Sequence, residues 1–296
     1  NVIANRKIWY AVSGVAVVAS VAAIAVWGLR LGIDFTGGSL VEVRFASRPA
    51  VQEMERRVAD AGVGTVHVQP VGDAEAILRL QATDEASHQK VLAALRAGDD
   101  GSVTEQSYET VGPSVGSELR SRSIRGIALV LAAIVAYIAF VFRSVSKPVA
   151  SWKYGVAAII ALFHDVIVPT GVFAVLGHFA GVEVDVLFVT AVLTVLGFSV
   201  HDTIVVFDRI RENLRRRSGQ PFEDVVADSV RETFVRSINT SLTVFLVLLA
   251  VYLFGGVSTR NFILVLLIGI AAGTYSSIFI ASPLLVSWQR WSSRRR

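Results

Sequence analysis

The sequence predicts an α-helical membrane protein with six transmembrane helices and one α+β domain inserted after the first. Three observations carry this. Six long apolar stretches occur, at Ile8–Leu29, Gly126–Phe142, Tyr154–Leu176, Val184–Phe207, Ser237–Gly255 and Phe262–Trp288. The whole chain is 53% hydrophobic and 18% charged, with a mean hydropathy of +0.58, whereas soluble domains carry about a quarter charged residues. Between the first two stretches lies a polar segment, Arg30–Ser123, holding 10 basic and 14 acidic residues.

A bilayer core of about 30 Å needs about 20 apolar residues, because a helix rises about 1.5 Å per residue. Gly126–Phe142 reaches that length with Ser123 and Ile124 in front of it. The first stretch is expected to be an anchor and not a cleavable signal, since its apolar core is too long and no small-x-small site ends it. In the polar segment, Leu40–Phe45 alternates like a strand, and Val51, Met54, Val58 and Ala61 recur at helical spacing. Thr65–Val71 and Ala76–Gln81 then form a strand pair turning at Gly72-Asp73. Asp84 caps a second helix through Leu95, stopping near Gly98, and Val103–Val111 is the last strand. The order is βαββαβ, a ferredoxin-like layout. The expected organisation is therefore residues 1–29, 30–123 and 124–296. Within the last part, an amphipathic connection over 208–236 carries Phe222, Val225, Val226, Val230 and Phe234 on one side and is expected to lie along the membrane surface.

Basic residues set the orientation. Arg6 and Lys7, then Arg143, Lys147 and Lys153, then Arg209, Arg211, Arg215, Arg216, Arg217 and Arg231, and finally Arg290 and Arg294–Arg296 share one side if the spans alternate. Both termini are thus expected in the cytoplasm and residues 30–123 outside. The pI near 9.6 then reflects loops beside anionic lipid, not a nucleic-acid footprint. Cysteine is absent, which excludes a disulfide framework and thiolate metal sites. No cofactor or metal is expected.

The chemistry-bearing residues lie inside the apolar stretches. A carboxylate at that depth costs a few kcal/mol unless it faces a partner or a water path, so Asp202 in the fourth stretch points to transport or its energisation; the alternative is a structural carboxylate, protonated or paired. Thr190, Thr194, Gly197 and His201 form one stripe on that helix, suited to close helix contact. Asp202 points about 100° away, and His201 is expected to be buried and bonded to a carbonyl. In the third stretch His164-Asp165 precedes Pro169, which frees a carbonyl beside Asp165 and predicts a polar kink. Arg236 opens the fifth stretch ahead of Asn239, Thr240, Ser241 and Thr243. It either snorkels to lipid phosphate or reaches Asp202, and an Asp–Arg pair is what a proton-responsive switch needs. Asp34-Phe-Thr36-Gly37-Gly38 marks a sharp, packed turn after the first span; by itself it reads as a helix-exit turn with a solvated Asp. Enzyme motifs are missing: Ser199 and His201 sit two residues apart on one helix and face different directions, and no nucleotide-binding loop occurs. An enzyme is not expected.

These motifs together resemble SecF, the partner of SecD in the bacterial SecDF accessory translocase. The resemblance rests on Asp34–Gly38, Glu109–Gly116, His164-Asp165, Gly197–Asn213 and Arg236–Thr243, and covers essentially the whole chain. It implies a fold of the resistance–nodulation–division type in the inner membrane, with residues 30–123 in the periplasm. It also implies use of the proton gradient to help pull preproteins from the SecYEG channel. SecD would be a separate chain or fused upstream of Asn1. Asp202 matches the family's proton-carrying aspartate and Arg236 its arginine partner, with Asp165 a second intramembrane carboxylate. The sequence departs from the family at His201, where Asn is usual, and at Phe198, often Tyr. The rival expectations are a proton-driven exporter of small molecules or lipids on the same fold, and a passive scaffold.

Overall fold

The structure, a computed structural model, describes residues 2–81, 84–97, 103–142, 150–217 and 219–293. Gly98, Arg143, Lys147 and Arg294–Arg296 lie outside these. The chain divides into two compact units, one formed by Asn1–Leu29, Gly126–Val182 and Leu187–Arg296, the other by Arg30–Arg125 with Glu183–Val186.

The smaller unit is built on a sheet. After a single helical turn, α2 (Ile33–Thr36), come β1 (Gly38–Arg44), α3 (Val51–Asp60), β2 (Val66–Val71), β3 (Glu75–Leu80), α4 (Glu85–Arg96) and β4 (Thr104–Val111). The strands pair antiparallel in the order β2-β3-β1-β4. Alternation explains the core: Val41 and Val43 of β1 and Ala76, Leu78 and Leu80 of β3 turn one face inward, onto Met54 and Val58 of α3 and Val91, Leu92 and Leu95 of α4. Asp84 caps α4, its carboxylate accepting the Ser87 N–H at 2.8 Å.

The larger unit contains α1 (Arg6–Trp27), α6 (Ser151–Ala180), most of α7 (Val186–Arg216), α8 (Phe222–Phe254) and α9 (Val257–Ser276). A π-helical turn, Ser277–Ala281, joins α9 to α10 (Ser282–Ser293). The second span is the C-terminal part of α5 (Pro113–Val141). Among the described residues, six helical segments are long and apolar enough to cross a membrane, the last being α9, the π turn and α10 together. This last span is the most enclosed and α5 the least. Helix contact is close where glycine permits it. A Cβ on Gly171 of α6 would meet Ser20 of α1 at 2.3 Å, and one on Gly269 of α9 would meet the Val195 side chain of α7 at the same distance.

One expectation is corrected here. Phe222–Arg236 is not a separate helix lying on the membrane surface; it is continuous with the fifth span as α8. Its apolar face packs on protein, with Val226 and Val230 in one core cluster with Phe207, Ile210 and Tyr154. Phe234 stays exposed. The polar side is tied to the end of α7 by Arg217–Asp228 at 2.6 Å and by the bond from Asn213 Nδ2 to Ser229 Oγ at 3.0 Å. Pro169 lies inside α6, which is helical on both sides of it, and the Asp165 carboxylate bonds neighbouring helices, as described next.

Candidate functional site: two carboxylates in a hydroxyl cradle

Asp165 of α6 is fully buried and Asp202 of α7 is 8% exposed. Each is held by hydroxyls from other helices. Asp202 Oδ1 accepts a bond from Ser237 Oγ of α8 at 2.6 Å, and Oδ2 accepts one from Ser277 Oγ of the π turn. Asp165 Oδ2 accepts from Ser276 Oγ at 2.6 Å and from Ser199 Oγ of α7. His164 Nδ1 lies 2.9 Å from Asp165 Oδ1. Adjacent serines at the junction of α9 and the π turn thus serve different carboxylates, one each. Ser199 and Asp202, three residues apart on α7, tie the two groups together a second time.

The last span comes close enough because of Gly273. A Cβ there would stand 3.0 Å from Ser199 Cβ. Gly269 and Gly273, four residues apart, form the small-residue spacing that lets membrane helices approach. Next to this patch Thr274 Oγ1 donates to Ser241 Oγ at 2.6 Å. Among the described residues no Lys or Arg touches either carboxylate. Buried ionisable groups are costly in hydrocarbon, which makes both carboxylates candidates for a functional site.

The structure does not pair Asp202 with Arg236. Arg236 is exposed, while the next residue, Ser237, carries the bond to Asp202. One residue is about 100° of helix, which is enough to put the guanidinium off the site. His201 is likewise exposed, not buried against a carbonyl. Thr190, Thr194 and Gly197 share its exposed face, and nothing lies within 4 Å of a Cβ built on Gly197. Asn239 and Thr240 are exposed on α8. The small-residue contact expected of Gly197 is made inside this chain by Gly269 and Gly273 instead. The small-residue spacing Gly269–Gly273 and the Ser276-Ser277 pair in an apolar run are the sequence signals of this contact.

The Asp34–Gly38 motif is more than a helix exit. Asp34 Oδ2 accepts the N–H of Val186 at 2.9 Å and so caps the first turn of α7, the helix that carries Asp202. Gly32 N donates to Val184 O at 2.9 Å and Val184 N to Arg30 O at 2.7 Å, fastening the two strands of chain in parallel. Thr36 Oγ1 donates back to Gly32 O at 3.0 Å. Gly37 and Gly38 have φ of +78° and +128°, and a Cβ on Gly38 would fall 2.5 Å from Leu80 O; only glycine fits. Glu183 sits beside this junction, 2.7 Å from Arg79 Nε and 3.8 Å from Arg30 Nε. Burial outweighs both cations and raises the Glu183 carboxyl above its ordinary value.

Comparison with known proteins agrees with this architecture. The family described as "Protein export membrane protein SecD/SecF, C-terminal" matches residues 90–291, and the "SecD/SecF GG Motif" matches residues 22–47, which include Gly37 and Gly38. "Protein translocase subunit SecF" of Thermobaculum terrenum is 46% identical across 98% of this chain and 94% of its own length. The protein of the same description from Anaerolinea thermophila is 40% identical, with 98% and 94% covered. The crystal structure of SecDF, a translocon-associated membrane protein from Thermus thermophilus, superposes with a TM-score of 0.86 at 30% identity. It covers 98% of this chain, which spans 38% of the SecDF chain. With the six spans, the small antiparallel sheet and the glycine pair in place, the chain belongs to the SecD/SecF family of protein-export membrane proteins, on its SecF side.

Proposed function

We propose that this chain is a proton-coupled accessory subunit of the Sec protein translocase, working with a SecD half to help draw preproteins from the SecYEG channel. The observation that carries this is Asp202, a buried carboxylate in an apolar helix with hydroxyls on both oxygens and, among the described residues, no Lys or Arg against it. Protonation removes the charge of a group so placed, and a potential of 100 mV supplies about 2.3 kcal/mol per charge that crosses. That suffices to bias two helix packings of similar energy.

In this proposal the protein sits in the bacterial inner membrane with both termini in the cytoplasm and the ferredoxin-like unit in the periplasm. Asp202 carries the proton and Asp165 backs it. Arg236 acts from the open face of α8, one residue from the serine that bonds Asp202, where the SecD half supplies its counter-charge. Polar side chains such as His201, Thr194 and Asn239 are costly against lipid, and a partner of matching polarity on that face supports pairing with SecD. Asp34 caps the first turn of α7, the helix that carries Asp202 further along.

The test is proton conduction in proteoliposomes holding this chain and a SecD half, intact or as Asp202→Asn. Conduction lost in a correctly assembled Asp202→Asn complex is expected. Undiminished conduction would take Asp202 off the proton path, and no conduction in either would favour a passive scaffold.

A further inference from the structure

We propose that Ser276 and Ser277 are switching hydroxyls that let Asp165 and Asp202 bind and release protons in place, making the two carboxyls one coupled proton-binding site. This rests on the proton-coupled function proposed above and assigns residues that the sequence motifs leave out.

Each serine has two partners. Ser277 Oγ bonds Asp202 Oδ2 and also lies 3.0 Å from the carbonyl of Thr274. Ser276 Oγ is 2.6 Å from Asp165 Oδ2 and 3.1 Å from the carbonyl of Gly273. A hydroxyl has one proton to donate and two lone pairs to accept with. When the carboxyl is ionised, the serine donates to it. When the carboxyl is protonated, its own O–H donates to the serine oxygen, and the serine turns its proton to the carbonyl three residues back. One proton enters, rests on a carboxyl oxygen, and leaves again. No buried polar atom loses its partner in either state, and no heavy atom has to move. Thr274, by contrast, spends its hydroxyl on Ser241 and Ile270 O and touches no carboxylate.

The coupling follows from adjacency. Ser276 and Ser277 are consecutive, and the wide π turn begins at the second of them; turns of this kind recur at functional sites. Ser199, on Asp165, is three residues from Asp202 on the same helix. Two buried carboxylates linked this way repel when both are ionised, so a proton on one lowers the proton affinity of the other. The titratable groups facing the pair are His164, bonded to Asp165, and Tyr275, whose ring stacks on His164 at 5.8 Å and whose hydroxyl donates to Trp9 O. Arg236 is exposed and stands off the pair.

The experiment is a pH titration of carboxyl infrared bands for this chain with its SecD half in lipid, using Asp165→Asn and Asp202→Asn to assign the bands. Ser277→Ala removes a bond that is stronger to the ionised form, so Asp202 should bind its proton about tenfold more tightly. Ser276→Ala should do the same to Asp165. Asp165→Asn removes the neighbouring charge and should weaken proton binding at Asp202 by about tenfold. Ser282→Ala deletes a hydroxyl that reaches only the Ser277 carbonyl and should leave both bands in place. Bands that ignore the two serine variants and Asp165→Asn, bands that never titrate, or an equal shift in Ser282→Ala would each overturn the proposal. Conduction measured on the same samples separates the two ideas. Coupled titration without conduction keeps the paired site and removes the transport role; conduction with independent titration does the opposite.

Discussion

His201 and Asp202 are adjacent in the chain and opposite in circumstance. Asp202 is turned into the protein, with a hydroxyl on each carboxylate oxygen. His201 is turned out, on a face it shares with Thr190, Thr194 and Gly197. Both faces of α7 are polar for a membrane helix. The inner one is satisfied by this chain; the outer one is not enclosed by it. The same division runs through α8, where Ser237 and Ser241 are buried while Arg236, Asn239 and Thr240 are exposed. Polarity in a span therefore says that a partner exists without saying whether the partner is internal. The inner face is a site, and the outer face has the character of an interface.

Glycine substitutions break this comparison most sharply. Gly269→Leu drives a side chain into Val195, already 2.3 Å from where a Cβ would begin, and overpacking of this kind costs about 1–3 kcal/mol or more. The chain should lose its folded, monodisperse form in detergent whether or not SecD is present. Gly197→Leu meets nothing within 4 Å. It should change the stability of the chain alone by less than about 0.5 kcal/mol, yet weaken assembly with SecD about tenfold in a co-purification titration. Equal damage from both variants would erase the distinction between the faces.

A smaller effect is expected at the start of the same helix. Asp34→Ala removes the cap on Val186 and should cost about 1 kcal/mol, the usual value for an N-cap, read as earlier thermal unfolding. Asp34→Asn, which keeps an acceptor oxygen, should recover most of it. If Asp34→Ala leaves the melting curve unmoved, the carboxylate is not holding α7.

The smallest effect sharpens the contrast in the smaller unit. Glu183 is buried beside Arg79, yet its carboxyl is raised above the ordinary value because burial dominates. An acid raised in the folded state keeps its proton where the unfolded chain has lost it. Its contribution is thus fullest below the ordinary carboxylate range and declines as pH rises from there to the folded value. Glu183→Gln should flatten that part of the stability–pH curve. A curve of unchanged slope would mean that Arg79 outweighs burial.

The strands and helices of the sheet unit were legible because apolar alternation and helical spacing are local. Leu40–Phe45 predicts β1 to within two residues at its start, and Asp84 caps the helix it was expected to cap. The amphipathic run from Phe222 was legible only as a face. Its moment does not distinguish lipid from protein as the cover, and core residues such as Phe207 and Ile210 provided it. In the site, Asp165 and Asp202 stood out because an ionisable group in hydrocarbon is expensive. Ser276 and Ser277 did not, since a serine in a span is cheap and common.

By itself the sequence determined how many stretches are long and apolar enough to cross a membrane, which segment stays outside those stretches, and that two carboxylates within them need partners. Those follow from the transfer cost of each residue and from periods of two and about 3.6 residues, which are properties of neighbours in the chain. The tertiary structure alone decided that Asp202 is met by Ser237 and Ser277 and not by Arg236, and that Asp34 caps a helix 152 residues away. Such pairings depend on the rotation and approach of whole helices. About 100° separates consecutive side chains, so the identity of a partner changes with a turn that no local pattern records.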